Sequence, residues 1–179
     1  MDLNVPSRPP PAVPTTGPDG AFLVELLVFN GAPFHDHWAY FVRSHGNSDT
    51  GTLIHAAGNV RVGFEFQIKR SHDLREPENL PTKRIALQWV DKEYVSENAI
   101  ATSGDEEAHC IPACAFEEVV HRVKVPIKSL RAVDDKATAV PRRIIQRDCQ
   151  TWMVESAEEL VKEHIFSAEV AAYLRAIQQ

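Results

Sequence analysis

The chain has 179 residues, 44% of them hydrophobic and 25% charged, which fits one globular domain able to bury a core without staples. Its formal net charge of −6 gives no electrostatic reason to expect nucleic acid or an anionic membrane as partner. No apolar run reaches the ~18 residues of a membrane helix, so integral membrane association is not expected.

Residues 1–19 (MDLNVPSRPPPAVPTTGPD) are rich in Pro, Ser and Thr and lack apolar periodicity. They read as a disordered or polyproline tail before a single domain spanning residues 20–179. The same stretch has neither the basic nor the apolar region of a secretory signal. Three cysteines, Cys110, Cys114 and Cys149, then read as reduced thiols of a cytoplasmic protein.

Ala21 to Asn30 is an apolar run broken only by Glu25 and ended by the Asn30-Gly31 turn signal; a buried strand is expected, with a short helix as the competing reading. A second strand follows at Trp38 to Arg43, and the polar SHGNSDTG loop leads to a third at Thr52 to Ala57. Val60 to Ile68 alternates Val62, Phe64, Phe66 and Ile68, the period of a strand. A polar loop, SHDLREPENLPTK, precedes a strand at Arg84 to Val90 with Ile85, Leu87 and Trp89 on one side. Phe116 to Val125 reads as a strand or mixed segment closed by Pro126, and residues 137–143 as loop. From Asp148 the pattern turns helical through Ile165, with a second helix from about Ser167 to Ile177. Strands first and helices last imply an α+β fold, an antiparallel sheet packed against C-terminal helices.

Several residue groups carry candidate chemistry. HCIPACAFEEVVH places His109, Cys110, Cys114 and His121 close together, but its C-x3-C spacing lacks a zinc knuckle, so no metal is expected. His35 and His37 are too isolated to form a metalloprotease pair. The group Arg142, Arg143 and Arg147 reads as a solvated face. Cys149 differs, because Asp148 is an acceptable N-cap and an amphipathic helix starts directly after it. Unpaired N–H groups and the helix dipole stabilise a thiolate there, and the same N–H groups can bind an oxyanion. A cysteine nucleophile needs a base and a group that orients the base. His37 opens one strand and His55 lies in the next, so a hairpin can bring both to one face.

HWAYFV, LIHAAG and DCQTWMVE together resemble the circularly permuted papain-like branch of the NlpC-type superfamily. The likeness is closest to the lecithin:retinol acyltransferase-like thiol hydrolase and acyltransferase group, with PPPDE-type isopeptidases as the rival. The shared feature is the order His, His, Cys, spread over residues 37 to about 155. The resemblance implies a permuted papain-like fold, Cys149 as nucleophile, His37 as base, His55 as its orienter, and no cofactor. It departs from the group at Asp148, where Asn is common, and in ending on polar RAIQQ rather than a hydrophobic anchor. A carboxylate beside Cys149 would raise the thiol pKa. The expected function is therefore a cysteine-dependent hydrolase or acyltransferase acting on an amide, ester or thioester of a small-molecule, acyl or peptidyl substrate. A non-catalytic binding module on the same fold, and acid/base chemistry on a small metabolite, stay open. His35 stays open as the base in place of His37.

Overall fold

The computed structural model describes residues 8–100, 110–128 and 147–179. Five strands come first: β1 (Phe22–Phe29), β2 (His37–Arg43), β3 (Thr50–Asn59), β4 (Gly63–Asp73) and β5 (Lys83–Val90). The helices are a single turn, α1 (Glu97–Ile100), then α2 (Ala115–Arg122), α3 (Cys149–Lys162) and α4 (Ala168–Ile177). The sheet runs in the order β4-β3-β2-β1-β5, with each pairing antiparallel. The fold is thus α+β, with the C-terminal helices packed on an antiparallel sheet. Among the described residues no helix is long and apolar enough to cross a membrane.

β1 is apolar nearly throughout because both of its faces are covered. Val24, Leu26 and Val28 join Trp38, Tyr40, Ile54 and Phe66 on the face that packs against the helices. Leu27 joins Ala39, Phe41, Leu53 and Leu74 on the other. Glu25, the one charge in β1, is buried on that second side and ion-paired to Arg84 at 2.8 Å. The main core closes where Trp152 of α3 meets Tyr40 and Phe66 edge-on, at centroid distances of 6.1 and 6.0 Å. The Tyr40 hydroxyl donates to the Met153 carbonyl at 3.0 Å and lies 3.0 Å from Ser156 Oγ, which ties β2 to α3.

Several elements differ from expectation. Phe116 to Arg122 is helical rather than strand-like: Phe116, Val119 and Val120 recur at helical spacing and face the core. A buried bidentate pair between Arg70 of β4 and Glu117 fixes this helix to the sheet, and the Ala113 N–H adds a hydrogen bond to Glu117 at 2.7 Å. β4 begins at Gly63, so Val62 sits in the preceding turn and is exposed. It also runs on to Asp73, into residues that read as loop. In β5 a register shift opposite Val24 and Glu25 breaks the alternation. Leu87 and Val90 therefore face the helices, and Trp89 turns away. Its indole N–H donates to the Pro14 carbonyl at 2.9 Å, and Gly17 lies against the ring, so residues 14–17 of the Pro-rich segment are seated on β5. Residues 137–143 lie outside the described residues.

Candidate active site

β2 and β3 hold their register from Arg43–Gly51 to Tyr40–Ile54 and part beyond it. The opening at that end is the candidate site. The loop from Asn30 to Asp36 leads into it. Gly31 is required there, since a Cβ would lie 1.9 Å from the His35 carbonyl. The loop is closed by Phe34 N–H donating to Gly31 O at 2.9 Å and Gly31 N–H to Asp36 Oδ1 at 3.3 Å. On the far side β3 turns at Gly58, whose φ of +131 suits only glycine.

His37 and His55 meet across the opening, with His37 Nε2 lying 2.8 Å from His55 Nδ1. Alternation along both strands puts them on the same side of the sheet, as the hairpin reading expects. That side is opposite the one α3 covers. Cys149 lines the same cavity as His37, and its Sγ lies 3.9 Å from the carbonyl of Asp36, the residue before β2. A cavity of about 280 Å³ joins the parts, lined by His35, His37, Asp148 and Cys149 and by apolar Pro33, Phe34, Val60 and Phe64. Among the described residues no hydrogen bond links Sγ to either imidazole.

The start of α3 is built as the sequence suggests. Asp148 is the N-cap; Oδ1 accepts from the N–H groups of Gln150 and Thr151 at 3.0 and 3.1 Å. Thr151 Oγ1 accepts from the Asp148 N–H at 3.3 Å and completes a capping box. Cys149 is therefore the first helical residue. The second oxygen of the capping carboxylate, Asp148 Oδ2, lies 2.7 Å from His35 Nδ1. Asp148 thus both caps the helix and binds His35, and the sequence signals only the first of these.

Burial holds the thiol and the His37–His55 pair uncharged at rest. Burial first, then the Lys69 charge, lowers the His37 pKa to about 4, against an opposing pull from Asp148. Burial, followed by the neighbouring His37 and Lys69, lowers His55 to about 3, while the Gln67 side chain acts upward. Gln67 is the cross-strand partner of His55 on β4. Burial pushes the Cys149 thiol up to about 11; the N–H groups of Trp38, Gln150 and Cys149 pull it down, and the Asp148 charge raises it. The helix start does supply N–H groups, yet desolvation outweighs them. The resting state is a thiol beside an uncharged imidazole pair.

Sequence reasoning missed the polar clamp behind the cysteine. Gln150, fully buried, donates from Nε2 to the Asp36 carbonyl at 2.8 Å and to Gln179 Oε1 at 3.0 Å. Gln179 Oε1 also accepts from the Asp36 N–H at 2.7 Å, and its own N–H donates to Gln150 Oε1 at 2.8 Å. Nothing in two glutamines so far apart announces that contact. Of the zinc candidates, His109 lies outside the described residues, Cys110 is exposed, and His121 packs edge-on against Phe66 at 4.9 Å. Among the described residues no group of three or more His, Cys, Asp or Glu is placed to hold a metal ion. His35 and His37 turn to separate partners, Asp148 and His55.

No curated protein and no solved structure matches the chain. A family model described as a family of unknown function, DUF6540, does match, over residues 24–167. That span takes in all but the first two residues of β1, the other four strands, α2, and α3 with Cys149, so the chain belongs to the DUF6540 family.

Proposed function

We propose that the protein is a cysteine-dependent hydrolase or acyltransferase on a permuted papain-like fold. The observation that carries this reading is that one cavity is lined by the helix-start Cys149 and by His37, which is hydrogen-bonded to His55 behind it. Cys149 attacks the carbonyl of an amide, ester or thioester. His37 takes the thiol proton through Nδ1, the nitrogen its bond to His55 leaves available, and then hands it to the leaving group. His55 orients the ring. With the thiol near 11 and His37 near 4, proton transfer accompanies attack rather than preceding it. The N–H groups that face the sulfur are suited to the developing oxyanion. Pro33, Phe34, Val60 and Phe64 favour an apolar group beside the reacting carbonyl.

The reading is tested by incubating the protein with p-nitrophenyl acetate and measuring intact mass. An acetyl adduct on Cys149, absent from Cys149→Ala and from His37→Ala, supports it. Adducts only on Cys110 or Cys114 would sink it. One observation favours a binding module instead: a thiol held near 11 is a poor spontaneous nucleophile. In that case the cavity binds a ligand and no adduct forms at Cys149 at any pH. A cytoplasmic setting, in which the thiols stay reduced, belongs to the same proposal.

A further inference from the structure

The loop before β2 carries a second histidine that the Cys149–His37–His55 scheme does not use. His35 Nδ1 lies 2.7 Å from Asp148 Oδ2, and the other oxygen of that carboxylate is committed to the α3 cap. A carboxylate only accepts, so Nδ1 carries the proton and Nε2 of the neutral ring keeps its lone pair. The backbone under His35 is held from both sides: Gly31 N–H bonds Asp36 Oδ1, and Asp36 N–H bonds Gln179 Oε1. Both histidines line the cavity that holds Cys149, at different depths. The His35 side chain is 48% exposed, at the solvent mouth, whereas His37 is paired to His55 further in.

An acyl-transfer enzyme performs two proton transfers on two different partners. The first involves the cysteine thiol, deep in the site. The second involves the acceptor, which arrives from solvent and passes His35. We propose that His35, oriented by Asp148, is the general base of the second half-reaction; this rests on the acyl-enzyme reading above. Nε2 takes the proton of a water or alcohol as its oxygen bonds to the acyl carbon. The carbon–sulfur bond then breaks, the electron pair stays on Cys149 Sγ, and the proton held by His35 returns to that sulfur. Asp148 gains a role in this scheme: an Asn there could accept from Nδ1 but would bring no charge to face the proton that Nε2 takes up.

The test is rapid-mixing kinetics with p-nitrophenyl acetate on the wild type, His35→Gln and His37→Gln, with matched thermal melts as the folding control. Wild type is expected to release one p-nitrophenolate per protein in a burst and then turn over. His35→Gln is expected to keep the burst, lose roughly 10²- to 10³-fold in the steady state, and accumulate acetyl-Cys149 by intact mass. Hydroxylamine, which needs little help from a base, should restore turnover to His35→Gln. His37→Gln should lose the burst. An unchanged steady state in a folded His35→Gln overturns the assignment, as does loss of its burst. A wild type that forms no acyl-enzyme overturns the catalytic reading itself, and this role with it.

Discussion

With its thiol near 11, Cys149 at pH 8 carries a thiolate in about one molecule in a thousand, against about a quarter for an unperturbed cysteine near 8.5. Each thiolate is more nucleophilic at the higher pKa, by roughly tenfold over ~2.5 units with a Brønsted slope of ~0.45. The two effects together leave alkylation about twentyfold slower than at a free cysteine, before burial is counted. The assay is iodoacetamide labelling followed by intact mass, in a Cys110→Ser, Cys114→Ser background. The logarithm of the rate should climb with unit slope from pH 7 to about 10. Asp148→Asn separates charge from burial, because Asn caps a helix as well as Asp does. Burial is the larger cause of the rise and the Asp148 charge a lesser one, so the substitution should lower the thiol pKa by under ~1 unit. Labelling at pH 8 should then quicken about two- to threefold. A rate that levels off below pH 8, or slower labelling of Asp148→Asn, would show that Cys149 rests as a stabilised thiolate and that the electrostatic reasoning is wrong.

Acidification should destabilise the fold through the histidine pair. Their folded pKa values, about 4 and about 3, lie below the unfolded value of 6.5, so the unfolded chain takes up protons first. Their contribution is complete above pH 6.5 and is lost as pH falls; at pH 5 it is down by about 2 kcal/mol for His37 alone, readable as a lower urea midpoint. His55→Gln should flatten that dependence. Glu117→Ala leaves Arg70 buried without its partner and should cost about 3–5 kcal/mol, whereas Arg70→Met with Glu117→Leu should recover most of it. Tyr40→Phe should cost only about 1 kcal/mol by the same urea titration, because Ser156 Oγ still donates to the Met153 carbonyl at 2.9 Å.

The sheet was legible where residue chemistry and period agree. β1, β2 and β3 fall close to their expected bounds because turn signals flank apolar runs. In β5 the bulge reverses the side on which Trp89 lies, and a count of alternating residues has no means of sensing an inserted one. α2 hid for a different reason: its valines favour strands locally, and the helix is chosen by the Arg70 ion pair and the apolar stripe it buries. At the candidate site, His37, His55 and Cys149 stood out by residue type and order. The His35–Asp148 contact and the Gln150–Gln179 clamp join side chains distant in sequence, and each residue alone looks like surface.

The Gln179 clamp sets an order of events for a chain still being synthesised. β1 to β4 form a meander of neighbours and can pair as they emerge. The Asp36 N–H gets its acceptor only when Gln179 has appeared and α4 has settled against α3. Until then Gln150 can hold the Asp36 carbonyl but nothing fixes the amide beside it. A nascent chain would carry a finished sheet and an unfinished candidate site. The backbone beside Cys149 stays unfixed until α4 is in place.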